Sequence, residues 1–167
     1  MYICIILDIF KHFLTGFIIR HLISNMFSLY QSGNVLVQQQ RITTWDMLVI
    51  PLGAGLVGNM VQLLQYTRER AQSGGIFSWG MKDYVQTLSG ASGMVMGYST
   101  AAVLSTWYSL QPMQLYPIMA AVITDLVYLG RSKATGIGHA AHLGGAAFGA
   151  LYYFAFMRKR MKKTGGF

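Results

Sequence analysis

The sequence has 167 residues, of which 53% are hydrophobic and only 11% are charged. A water-soluble domain usually carries charge on about a quarter of its residues, so this composition excludes an ordinary soluble globular protein and indicates a chain whose outer surface contacts lipid. A single cysteine excludes an internal disulfide and a cysteine-built metal site.

Five apolar stretches approach the roughly 20 residues that a helix needs to cross a bilayer. They are residues 17–37, 47–66, 90–110, 113–130 and 136–157. Residues 1–16 are apolar but interrupted by Asp8 and Lys11, so we expect an interfacial or partial helix there. The pattern predicts one all-α domain over residues 1–167, a polytopic transmembrane bundle of about five spanning helices.

The net charge of +8 is concentrated in part at the C-terminal end. The predicted tail, residues 158–167, contains Arg158, Lys159, Arg160, Lys162 and Lys163. Its position directly after an apolar run favours an anchor at anionic lipid head groups, worth about 1 kcal/mol per charge, over a nucleic-acid site. Membrane lipids are therefore an expected partner and nucleic acid is not. The Lys and Arg residues of the loops do not decide the orientation in the membrane.

Polar residues are rare within the predicted spans, and such residues are a functional hypothesis by default because they are costly in hydrocarbon. They are His21 and Asn25 in the first span, Ser92 in the third, Asp125 in the fourth, and His139 and His142 in the fifth. A serine in a membrane helix usually bonds its own backbone, and His21 and Asn25 could simply join helices. The two histidines with Asp125 form too weak a pattern to predict a metal site.

Small residues predict which helices touch. Gly93 and Gly97 are one turn apart in the third span, and Gly145 and Gly149 are one turn apart in the fifth. Helices with such faces can pack backbone against backbone. Because Ser92 precedes the first glycine pair and His142 precedes the second, this packing would bring a hydroxyl towards the base that it needs to become nucleophilic.

Three segments, in this order, resemble the rhomboid family of intramembrane serine proteases: HLISN at 21–25, GASG at 90–93 and AHLGGAAFG at 141–149. The resemblance covers roughly residues 12–157 and implies a rhomboid-like helical fold. It also implies that the family's first helix is missing or reduced to residues 1–16, as in a divergent, truncated member.

The resemblance further implies a Ser–His dyad without a cofactor or a metal. Ser92 would be the nucleophile and His142 the general base, while His21 and Asn25 would donate hydrogen bonds to the oxyanion. His139 matches a flanking position and is not the base. The implied reaction is hydrolysis of a peptide bond in or near a transmembrane segment of a protein substrate.

A second interpretation stays open, namely a catalytically inactive rhomboid-like subunit or scaffold of a larger membrane complex, with neighbouring membrane subunits as partners. The chain looks most like mitochondrial relatives, which makes the mitochondrial inner membrane the expected location. For Asp125 we expect a structural role, paired with a loop cation or a helix terminus.

Overall fold

The computed structural model describes residues 19, 21–37, 42–72, 91–106, 112–129 and 137–162. Within these ranges the chain is helical and contains no strand. The helices are α1 (residues 21–37), α2 (Thr44–Gln72), α3 (Ser92–Ser105), α4 (Pro112–Val127) and α5 (His139–Tyr152), followed by a π-helical turn (Tyr153–Met157) and α6 (Arg158–Lys162). The predicted interfacial segment 1–16 and the last five residues of the basic tail lie outside the described residues.

The all-α prediction is confirmed, and each predicted span overlaps one helix. The second helix differs most, because α2 extends from Thr44 to Gln72 where a span over 47–66 was expected. At 1.5 Å per residue this helix is about 43 Å long, which exceeds the hydrocarbon thickness of a bilayer. Its last turns carry the charged residues Arg68 and Glu69.

The long helix α2 has one buried face with a spacing of four residues. Asp46, Ile50, Ala54, Gly58 and Gln62 are all buried, whereas Leu52, Leu56, Met60 and Leu64 are exposed. Residues four apart share a face of an α-helix, so a single stripe with small residues at its centre turns towards the bundle. This stripe packs against α3 and α5, which also pack against each other.

The outer surface of the bundle is strongly apolar. Large hydrophobic side chains that are more than half exposed include Leu22, Ile23, Met26 and Phe27 of α1, Leu52 and Leu56 of α2, and Ile123 and Leu126 of α4. A soluble monomer rarely shows apolar patches of this extent. Two helical segments, Thr44–Glu69 and His139–Arg160, are long and apolar enough to cross a membrane, and Ile118–Val127 is a shorter apolar helix. The number of spans, about five, stays a prediction.

One end of α2 is fixed by a capping box. The hydroxyl of Thr43 accepts a hydrogen bond from the backbone N–H of Asp46 (3.3 Å), and the Asp46 carboxylate accepts one from the backbone N–H of Thr43 (2.8 Å). This reciprocal pair satisfies two donors that a helix N-terminus otherwise leaves without partners. The sequence Thr43-Thr44-Trp45-Asp46 has the spacing that this motif requires.

The same carboxylate connects α2 to the end of the chain. Oδ1 of Asp46 accepts hydrogen bonds from the Tyr152 hydroxyl (2.7 Å) and from the guanidinium of Arg160 (2.5 Å). The Asp46 side chain is almost completely buried, whereas that of Arg160 is 38% exposed. The first part of the basic tail therefore has a contact within the bundle, because α6 continues the fifth helix and Arg160 makes an ion pair with Asp46. The lipid-anchor role of the tail stays a prediction.

Substitution of Asp46 by alanine should destabilise the protein more than substitution of Arg160 by alanine. Loss of the carboxylate leaves the Thr43 N–H, the Tyr152 hydroxyl and a guanidinium without their acceptor, at a cost of about 3 kcal/mol. The half-exposed Arg160 contributes less, because its removal leaves a carboxylate that still accepts hydrogen bonds from the N–H and the hydroxyl of Thr43 and from Tyr152. Thermal unfolding in detergent measures both, and equal effects would contradict the assignment of Asp46 as the centre of this network.

Candidate active site

The polar residues singled out in the sequence collect at the other end of the bundle. Ser92 is the first residue of α3, and His139 and His142 lie in the first turn of α5. Asp125 lies in the last turn of α4, and His21 is at the start of the continuous part of α1. Helices running in alternate directions bring these termini to one side of the bundle.

The backbones of α3 and α5 are in direct contact at this end. A Cβ atom added to Gly93 would lie 3.0 Å from the carbonyl oxygen of Ala141, and one added to Gly97 would lie 2.6 Å from that of Gly145. A Cβ added to Gly145 or Gly149 would overlap the carbonyl group of Gly93 or Gly97, respectively. No helix lies between the serine-bearing and histidine-bearing segments, since Ser92 and His142 each adjoin a residue of the Gly93–Ala141 contact.

The start of α5 is held by a side chain from α2. Gly138 provides no side-chain cap, but Oε1 of the buried Gln62 accepts a hydrogen bond of 3.1 Å from the backbone N–H of Ala141. Gly138 leaves room for the side-chain amide of Gln62, because a Cβ atom at position 138 would lie only 3.2 Å from Oε1. Gln62 thus takes the part that a serine or aspartate usually plays at a helix N-terminus.

Replacement of Gln62 by leucine should remove this cap while keeping the side-chain volume. The Ala141 N–H would stay buried without an acceptor, which costs about 1–3 kcal/mol. A matched control is Gln65→Leu, one turn further along α2, where the amide donates a hydrogen bond to Glu69 of the same helix. Thermal unfolding should show the larger loss for Gln62→Leu, and a larger loss for Gln65→Leu would contradict the capping role.

His142 and His139 share one carboxylate. Nδ1 of His142 lies 3.0 and 3.1 Å from the two oxygens of Asp125, and Nδ1 of His139 lies 2.8 Å from Oδ1. Asp125 is 4% exposed and His139 is 2% exposed. Among the described residues the partners of Asp125 are two imidazole side chains of α5. The loop cations expected as partners, Arg131 and Lys133, lie outside the described residues.

The second nitrogen of His142 has a different environment. Nε2 is buried and has no hydrogen-bond partner among the described residues. Ser92, which is 7% exposed, is therefore not hydrogen-bonded to His142 in this structure. Contacts between a nucleophile and its base are often long in a free enzyme and shorten when substrate binds.

The inward face of α1 completes the site. His21 and Asn25 are half-buried, and Ser32 and Leu36 are buried further along the same face. The Ser32 and Ser99 hydroxyls are hydrogen-bonded at 2.8 Å, which joins α1 to α3. The face of α1 that carries His21 and Asn25 thus turns towards the bundle.

Among the described residues no group of three or more His, Cys, Asp or Glu side chains is arranged to hold a metal ion. The three side chains of His139, His142 and Asp125 satisfy each other through Nδ1 and carboxylate atoms. The cluster is thus built from hydrogen bonds.

One polar residue of this region, Gln62, and one contact, that of Asp125 with the two histidines, were not predicted. Gln62 was part of an apolar run, and only its position on the same stripe as Ala54 and Gly58 could have indicated that it faces the bundle. The contact of Asp125 with the histidines joins residues that are 14 and 17 positions apart. The one available signal was that Asp125 is the only carboxylate deep in an apolar run.

The fold and the polar cluster define a class: a helical, membrane-embedded protein with a buried cluster of Asp125, His139 and His142 at one end of its bundle. A family model described as "Rhomboid domain" matches residues 5–159. The chain belongs to the rhomboid family. Neither the search of curated proteins nor that of solved structures gave a match.

Proposed function

We propose that this protein is an intramembrane serine protease that cleaves peptide bonds in or near transmembrane segments of other proteins. Membership of the rhomboid family supports the class of reaction. The observation that carries the proposal is the backbone contact between Gly93 and Ala141, which puts Ser92 and His142 on either side of one helix junction. Nε2 of His142, which has no hydrogen-bond partner among the described residues, is the atom proposed to take a proton.

In the proposed reaction the Ser92 Oγ attacks the carbonyl carbon of the scissile peptide bond. The hydroxyl proton passes to Nε2 of His142 as the new O–C bond forms, and the carbonyl oxygen becomes an oxyanion. The C–N bond then breaks, and the proton on Nε2 passes to the leaving amine. Water releases the acyl group by the same two proton transfers in reverse.

Donors for the oxyanion would come from two helices. The backbone N–H of Ser92 lies in the first turn of α3, where amide groups have no partner within their own helix. His21 and Asn25 are half-buried on the inward face of α1, and their side chains would add donors as negative charge develops. Preorganised donors of this kind commonly contribute about 3–4 kcal/mol each to transition-state stabilisation.

One observation favours the alternative of an inactive subunit or scaffold. The hydroxyl of Ser92 is not bonded to His142, whose Nε2 has no partner among the described residues. In that interpretation the cluster around Asp125 would only hold α4 against α5. The exposed apolar surface of the bundle would then contact neighbouring membrane subunits instead of a substrate helix.

A fluorophosphonate probe separates the two proposals. We expect covalent labelling of the purified protein in detergent, and loss of labelling in Ser92→Ala. The matched control is Ser105→Ala in the same helix, since the buried Ser105 hydroxyl donates to its own backbone at Ala102 (2.7 Å). Labelling that persists in Ser92→Ala, or its absence from the wild-type chain, would contradict the protease.

The compartment is part of the proposal. We propose the mitochondrial inner membrane because the segment HAAHLGG and the aromatic run Tyr152-Tyr153-Phe154 resemble those of mitochondrial members of the family. Fractionation of cells that express a tagged chain tests it, and recovery in another membrane would overturn the assignment without affecting the proposed reaction.

A further inference from the structure

The cluster of Asp125, His139 and His142 contains one contact that a serine–histidine pair alone does not require. Both carboxylate oxygens of Asp125 lie within 3.1 Å of Nδ1 of His142. The carboxylate comes from α4 and the imidazole from α5, so the contact bridges two helices. The side chain of Asp125 is only 6% exposed, and that of His142 is 12% exposed.

This contact determines which nitrogen of His142 carries the proton. An ionised carboxylate only accepts hydrogen bonds, so Nδ1 of His142 must donate. In the neutral imidazole the other nitrogen, Nε2, then has a lone pair and acts as the acceptor. Nε2 is the buried atom without a partner among the described residues.

We propose that Asp125 is a positioning residue for His142, so that the site works as a Ser–His–Asp arrangement. This inference rests on the proposed protease function. Asp125 fixes the tautomer and the ring orientation of His142, and its negative charge faces the imidazolium that forms when Ser92 gives up its proton. It touches neither the substrate nor the reacting atoms.

His139 supports Asp125 in this role. Its Nδ1 donates to Oδ1 at 2.8 Å, and its ring stacks on that of Tyr128 with centroids 5.8 Å apart. The rings of His139 and His142 are nearly perpendicular (81°), with centroids 6.4 Å apart. The buried carboxylate therefore has two imidazole donors, one anchored by an aromatic ring and one that remains oriented for proton transfer.

The rate and affinity of fluorophosphonate inactivation test the inference. In this reaction the Ser92 oxygen forms a bond to phosphorus, fluoride leaves, and the hydroxyl proton passes to His142. For Asp125→Asn we expect the maximal inactivation rate to fall about 10²- to 10⁴-fold, with the probe's apparent dissociation constant changed less than about threefold. Asp125→Glu keeps a carboxylate acceptor, so its maximal inactivation rate should be at least tenfold higher than that of Asp125→Asn.

Wild-type labelling with an unchanged rate in Asp125→Asn would overturn the positioning role and leave the protease intact. A wild-type chain that is never labelled would instead overturn the protease. Equal losses in the Asn and Glu variants, or a loss confined to the dissociation constant, would also count against positioning.

A second measurement needs no Asp125 variant to fold. In the wild-type chain with ¹⁵N-labelled histidine, imidazole nitrogen shifts should identify His142 as the tautomer protonated at Nδ1, with His142→Gln used to assign the signal. A neutral ring protonated at Nε2 would overturn the inference whether or not the protein is labelled by the probe.

Discussion

Replacement of Gly145 by alanine should destabilise the protein by about 3 kcal/mol or more. The added methyl group would overlap the carbonyl group of Gly93, and a backbone atom cannot move aside as the end of a side chain can. In a helix without such a neighbour the same change would stabilise by up to about 1 kcal/mol. The sign of the effect therefore reports the contact between α3 and α5.

The control for this substitution is Ala147→Val, on the exposed face of α5. It adds more volume to the same helix but points away from α3, so thermal unfolding in detergent should hardly change. We also expect Gly145→Ala to reduce fluorophosphonate labelling, because the added methyl group would push α3 and α5 apart and move Ser92 away from His142. A stable Gly145→Ala protein with full labelling would contradict the packing of the site.

Replacement of His142 by glutamine should lower peptide cleavage at least 10³-fold, which is about 4 kcal/mol of transition-state stabilisation. Glutamine can still accept a hydrogen bond but cannot take up a proton. The measurement is cleavage of a fluorogenic peptide with one transmembrane helix, reconstituted with the protein in liposomes.

The matched variant is His139→Gln, in the same turn of α5. It removes one donor from Asp125 but no group that takes a proton in the proposed reaction, so we expect a loss of roughly tenfold or less. The ratio of the two losses identifies the base. A larger loss for His139→Gln would exchange the roles of the two histidines.

Sequence patterns predicted the helical class because hydrophobic length is a property of each segment alone. The predicted spans 47–66 and 136–157 overlap the two helical segments that are long and apolar enough to cross a membrane, Thr44–Glu69 and His139–Arg160. The end of the basic tail was harder to predict, since α6 depends on a buried Asp46 that lies 114 positions from Arg160. A charged tail after an apolar run indicates lipid contact by default. Only the fold shows that Arg160 pairs with a carboxylate of the same chain.

The candidate site was predictable where the spacing of residues along one helix was enough. Ser92 and His142 were selected by the small residues beside them, which indicate close helix packing before any coordinates are known. Gln62 and Asp125 depend on contacts between helices, and no pattern within α2 or α4 specifies those partners. The roles proposed for Ser92, His142, His21 and Asn25 remain predictions for the experiments above.

The glycine contacts between α3 and α5 repeat every four residues, and this repetition has a cost in specificity. A slide of α5 by one helical turn, about 5.4 Å, would move Gly145 to the position that Gly149 now occupies against the carbonyl group of Gly97, and would again bring small residues together. Backbone packing alone therefore permits more than one axial register. The bond from Ala141 to Gln62 and the ion pair from Arg160 to Asp46 both tie α5 to α2, near opposite ends, and select one of these positions. The height of His142 relative to Ser92 is thus set by polar contacts with a third helix.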